Sequence, residues 1–128
     1  MRMTNKDTVK IEKRKLQSSG KLINRAVLVI LSKKHFGKSF ILNKSVNIIG
    51  RRNDCDIRIS DPLISNRHCR IIYTEDGRFQ LDDLESTNST YLNNKVLKKP
   101  AVLTYGDRIV AGNTIMRFFY EEQFEIKK

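Results

Sequence analysis

The chain has 128 residues, 39% of them hydrophobic and 30% charged, and 25 Lys/Arg against 14 Asp/Glu give a net charge of +11. This length suits one domain with a tail, large enough to bury a core without disulfide or metal staples, and the composition excludes a chain disordered throughout. No apolar run nears the roughly 18 residues of a membrane-spanning helix, the longest being AVLVIL at residues 26–31.

Residues 1–24 are polar, basic and weakly patterned, and are expected to form a flexible basic arm. Eight Lys/Arg lie in the first 25 residues against only Asp7 and Glu12, so +6 of the charge sits there. Such an arm suits anionic partners such as phosphorylated protein, nucleic acid or acidic lipid, and equally keeps a chain soluble. No apolar signal-peptide core follows the basic start, so the chain reads as intracellular. Cys55 and Cys69 then stay free, and with only His35 and His68 beside them there is no metal-ligand spacing; no metal or cofactor is expected.

From residue 26 the texture changes to short runs of β-branched and aromatic residues. Strands are expected at 26–31, 39–42, 46–49, 57–59, 68–74, 78–82, 90–92, 108–111 and 114–120. Turn signals separate them at 35–38, 61–62, 75–77, 93–94 and 111–113. No window in this body shows a helical period. Closely spaced strands without helices point to an all-β sandwich over residues 25–121, with a short tail at 122–128.

A sandwich collects its loops at two ends, and function lives there. Arg51 follows Gly50 at a strand exit, where glycine removes side-chain bulk and permits unusual dihedrals. Its guanidinium is a planar fork of donors matched to phosphate or carboxylate, although taken alone it reads as a surface arginine after a turn. Ser65 offers one hydroxyl donor. Ser65 with His68 suggests nucleophile and base, but no orienting acid and no G-x-S-x-G elbow accompany them, so His68 reads as a structural histidine bracing the loop and the chain as no enzyme. Asn88 has donors and acceptors to grip a backbone, and Asn88-Ser89-Thr90 matches a glycosylation sequon by chance. The adjacent carboxylates Asp82-Asp83 and Glu121-Glu122 face opposite ways along a strand, so neither is an acid/base pair.

Taken in order, Gly50-Arg51, Ser65-Asn66-Arg67-His68, Thr87-Asn88-Ser89-Thr90-Tyr91-Leu92-Asn93 and Gly106-Asp107 resemble the forkhead-associated (FHA) domain pattern. Asp56-Ile57 and Asp61 also sit where that family has them, and the resemblance spans roughly residues 26–120. It implies an eleven-stranded β-sandwich that binds phosphothreonine in partner proteins as a signalling adaptor. On that resemblance Arg51 and Ser65 contact the phosphate, Thr87 adds a loop contact, Asn88 holds the peptide backbone, and Asn66 lies beside them. Gly50 and His68 support the loops, while Leu63, Arg67 and Ser89 bear on specificity.

Ser89 stands where the family has glycine. Serine enters positive φ reluctantly, so either the loop takes a different shape or Asn88 carries the left-handed conformation. Asn94 replaces a second glycine, a milder change. A phosphate-independent scaffold within a larger assembly is the alternative function. Nucleic-acid binding ranks lower because the arm lacks aromatic residues for base stacking. Thr4, with Asp7 three residues on, and Thr8, with Ile11, resemble accepted phosphosites, so a phosphorylated arm would dock on its own domain or on a second copy.

Overall fold

The computed structural model describes residues 25–121. The basic arm with Thr4 and Thr8, and the tail at 122–128, lie outside the described residues. Among the described residues eleven strands form two sheets. One contains β1 (Arg25–Ile30), β2 (Ser39–Ile41), β7 (Thr90–Leu92), β8 (Lys95–Val96), β10 (Arg108–Ala111) and β11 (Thr114–Glu121), in the order β2-β1-β11-β10-β7-β8. The other contains β3 (Val46–Gly50), β4 (Ile57–Arg58), β5 (Cys69–Tyr73), β6 (Phe79–Asp83) and β9 (Ala101–Val102), in the order β4-β3-β5-β6-β9. Among the described residues no helix is long and apolar enough to cross a membrane.

The period of two in the sequence explains the layering. Ala26, Leu28 and Ile30 of β1 alternate inward, as do Thr114, Met116 and Phe118 of β11. All of these but Thr114 meet Cys69 and Ile71 of β5 and Phe79 and Leu81 of β6 in one apolar cluster. Phe118 is fully buried, edge-on to Phe79 at 5.4 Å between ring centroids. Each such buried side chain contributes about 1.5–3 kcal/mol. Burial raises the Cys69 thiol to about 12, so it behaves as a small apolar residue.

All nine expected strands form, with ends shifted by a residue or two. β8 and β9 add two short strands to them. Asp82 pairs with Arg70 at 2.9 Å, whereas Asp83 accepts hydrogen bonds from Ser86 and Thr90, so the two carboxylates serve separate partners.

β4 lies parallel to β3, with Gly50 opposite Arg58, although only residues 51–56 connect them. That connection doubles back on itself. Cys55 N–H donates to Arg52 O at 3.1 Å, and Asp56 accepts from Ile48 N–H at 2.9 Å while pairing with Lys44. The Lys44 hydrogen bond, then that from Ile48, holds the Asp56 carboxyl below its ordinary range. The excursion leaves the chain just past Gly50, at the end of the sandwich where residues 59–68 and 84–89 also turn.

Candidate functional site

Three loops meet at this end, and backbone hydrogen bonds lock them together. Beyond β3, Arg51 N–H donates to Ser65 O at 3.1 Å and Arg52 N–H to Asn66 O at 3.3 Å. His68 N–H returns to Ile49 O at 2.8 Å. The Asn66 backbone therefore crosses directly over Gly50. A Cβ at residue 50 would sit 2.1 Å from Asn66 O and 2.8 Å from Cys55 Sγ. Gly50 does not use positive φ, so space, not unusual dihedrals, is what demands glycine here.

His68 is fully buried and braces the site through both ring nitrogens. Nδ1 accepts from Ser65 N–H at 3.0 Å, and Nε2 lies 2.8 Å from Ser89 O. Since an amide can only donate and a carbonyl only accept, the ring is the neutral tautomer protonated on Nε2. One side chain thus ties the 59–68 loop to the 84–89 loop. Its ring does not engage the Ser65 hydroxyl, which removes the nucleophile–base arrangement.

The same two loops are joined twice more. Thr87 N–H donates to Ser65 Oγ at 3.0 Å, and Asn88 Nδ2 donates to Leu63 O at 2.9 Å. Ser89 itself takes the left-handed conformation at φ 67°, so the loop keeps the glycine-like turn and Asn88 does not carry it. Asn93 and Asn94 also adopt positive φ, within asparagine's tolerance.

Two carboxylates fix the loops from beneath. Asp61 accepts from Leu63 N–H at 2.9 Å, Asn113 N–H at 2.8 Å and Thr114 Oγ1 at 2.8 Å, binding the 59–68 loop to the β10–β11 turn. Burial pushes its carboxyl upward, but those hydrogen bonds outweigh it and leave it below the ordinary value. Asp83 behaves alike: burial raises it, and bonds from Ser86 and Thr90 bring it lower overall.

Against this satisfied frame, a few polar groups stay free. Arg51 spends Nε on Ile64 O at 3.0 Å, which aims the guanidinium. Among the described residues its terminal nitrogens have no partner. Ser65 Oγ accepts from Thr87 but donates its proton to nothing described. Thr87 and Asn88 are exposed beside it, and among the described residues the Asn88 amide oxygen has no partner. These four residues are brought together. Asn66 lies on the rim, its side-chain amide without a partner among the described residues. Leu63 is an exposed apolar residue at the same rim. Arg67 leans instead toward Asp54, 3.5 Å away.

Arg52 and Arg58 lie outside the motif residues named from the sequence. Arg52 faces Asp54 at 3.3 Å, and Arg58 donates Nε to Arg51 O at 3.1 Å. With Asn53 and Asp54 they line a shallow depression that includes Arg51. The alternation Ile57-Arg58-Ile59 shows that Arg58 points outward, but only the parallel register puts it beside Arg51. Among the described residues no cluster of His, Cys, Asp or Glu is arranged to hold a metal.

Residues 47–112 match the family model of the FHA domain. The human proliferation marker protein Ki-67 is 37% identical over 82 residues, covering 64% of this chain and 2% of Ki-67. The glycogen accumulation regulator GarA of Mycolicibacterium smegmatis is 36% identical over 87 residues, covering 68% of this chain and 54% of GarA. The chain thus spans a small part of Ki-67 and about half of GarA. A structure solved in a study of phosphothreonine-dependent FHA domain interactions superposes with a TM-score of 0.67 at 30% identity, covering 74% of this chain and 95% of that one. The FhaA FHA domain, complexed with the intracellular domain of Rv3910, gives 0.65 at 31%, covering 73% and 98%.

Proposed function

The chain belongs to the FHA domain family, and we propose that it is a phosphothreonine-dependent recognition module, acting as a signalling adaptor on partners phosphorylated by a Ser/Thr kinase. The carrying observation is the pair of donors unspent among the described residues, the Arg51 terminal nitrogens and the Ser65 hydroxyl proton, in loops held to one another by backbone hydrogen bonds and by His68. A phosphothreonine brings about −1.5 to −2 charges and three acceptor oxygens. Arg51 supplies a forked cation, and Ser65 a donor whose acceptor side is already held by Thr87 N–H. Thr87 and Asn66 flank the phosphate. The free oxygen of Asn88 accepts from the peptide backbone, and Leu63, Arg67 and Ser89 border the residues that follow. Gly50 and His68 hold the loops in register. The reading requires no catalytic step.

The fold's remaining positive charge steers acidic, phosphorylated partners and makes association salt-sensitive. Each charge-assisted hydrogen bond is worth about 1.5–3 kcal/mol. Losing Arg51 therefore weakens binding by roughly a hundredfold or more.

A degenerate phosphothreonine peptide library tests this, with unphosphorylated and phosphoserine libraries alongside and Arg51→Ala as the variant. Enrichment that needs phosphothreonine and disappears in Arg51→Ala supports the reading. Equal capture of all three libraries by the folded protein overturns it, in favour of a phosphate-independent scaffold.

A further inference from the structure

The depression beside Arg51 holds more positive charge than one phosphate uses. Arg52 and Arg58 line it with Arg51, and Arg67 stands across Asp54 from Arg52. Among the described residues Asp54 is the only carboxylate lining it, and Arg52 and Arg67 share it at 3.3 and 3.5 Å. The other nearby acid, Asp56, is turned away and neutralised by Lys44 at 2.6 Å. Arg58 is held rather than loose. Its Nε donates to Arg51 O, which extends the guanidinium into the depression with its terminal nitrogens free among the described residues. The Asn53 side-chain amide has no partner there either.

Four exposed guanidiniums around one carboxylate leave a local excess of positive charge that favours binding of an anion. Arg51 is already engaged by the phosphothreonine in the reading above, on which this inference rests. We infer that Arg52 and Arg58 form a second anion subsite, and that the preferred partners carry a second phosphorylated side chain close to the phosphothreonine. A phosphate suits it better than a single carboxylate, because two forked cations match a dianion with three acceptor oxygens.

Geometry sets the spacing. Arg58 sits one strand over from Gly50, about 4.8 Å between strand axes. Long side chains then put the two anion positions on the order of 10 Å apart. An extended peptide covers that distance in about two to four residues.

The experiment is a titration of the full chain with synthetic peptides. One carries a single phosphothreonine. Others add a second phosphoserine or phosphothreonine at each position two to four residues to either side, or aspartate in its place. The readout is the gain, meaning the affinity for each doubly modified peptide over that for the singly modified one, measured within each protein. Arg52→Gln/Arg58→Gln removes both charges, and glutamine at 58 retains a donor for Arg51 O. Arg78→Gln/Lys95→Gln removes the same charge from the opposite end of the sandwich.

The inference expects a gain of about tenfold for phosphate at one or two neighbouring positions, and less for aspartate. That gain falls below about twofold in Arg52→Gln/Arg58→Gln and survives in Arg78→Gln/Lys95→Gln. No gain at any position, or a gain equally reduced by both double variants, overturns it while leaving single-phosphate recognition standing. Failure of the singly phosphorylated peptide to bind overturns the functional reading and this inference together. The same outcome follows for the subsite if single-stranded DNA binds through Arg52 and Arg58 while no peptide gains.

Discussion

Gly50→Ala puts the packing of the site to a quantitative test. The added Cβ would lie 2.1 Å from Asn66 O, 2.8 Å from the Asn66 carbonyl carbon and 2.8 Å from Cys55 Sγ. Real contacts of this kind do not fall below 3.0 Å, so the Asn66 peptide must retreat by about 1 Å. Two of these three atoms are backbone, which cannot swing aside as a side-chain tip does. The retreat loosens the Arg52 N–Asn66 O and Cys55 Sγ–Asn66 O hydrogen bonds and strains Arg51 N–Ser65 O next to them. Overpacking costs about 1–3 kcal/mol, and the hydrogen bonds, stretched and not lost, add about 1 kcal/mol together. The expected loss is roughly 2–4 kcal/mol, a large share of the 5–15 kcal/mol typical of a domain. That lowers Tm by roughly 10–25 °C. The assay is urea unfolding of wild type, Gly50→Ala and Gly37→Ala. A Cβ at Gly37 meets nothing within 4 Å, and only its positive φ resists substitution, at about 1 kcal/mol. Gly50→Ala within 0.5 kcal/mol of wild type, or no worse than Gly37→Ala, would refute the reasoning.

Two further outcomes follow from the loops. Ser89→Gly relieves a non-glycine residue at φ 67° and is expected to stabilise by about 0.5–1 kcal/mol despite glycine's larger unfolded-state entropy; a destabilisation in urea melts contradicts this. The Asp61 and Asp83 carboxyls are held below the ordinary value of 3.8, so their contribution is fully present above that pH. It is lost as the pH falls through 3.8 toward the lower folded value. Asp61→Asn is expected to lose about 2–3 kcal/mol at pH 7 and to show a flatter decline in urea midpoint between pH 5 and 3 than wild type. Parallel declines in the two proteins would show that Asp61 is not the group responsible.

Much of the fold was legible because alternation of burial is written directly in runs such as 26–31 and 114–120. Lys95–Val96 and Ala101–Val102 were not, since two residues carry no period and their pairing depends on partners far along the chain. The candidate site residues Arg51, Ser65, Thr87 and Asn88 were visible as types at family spacings. What tied them together was not visible. That His68 spends both nitrogens on backbone, that Ser89 itself turns left-handed, and that Gly50 exists to let Asn66 pass are facts of three-dimensional closure. Arg58 escaped for the same reason, because its neighbour is set by an unusually short parallel return.

The central claim is that phosphothreonine is read by the loops past Gly50, Ile64 and Asp83. Amide and arginine side-chain NMR spectra of the chain, titrated with a library-selected phosphopeptide and its dephosphorylated form, test it most directly. Phosphate-dependent shifts are expected at the Arg51 Nε–H and at the Ser65, Thr87 and Asn88 amides, with the far-end turn at Asn93 and Asn94 unmoved. Shifts that are the same for both peptides, or that map to that far end, would contradict it.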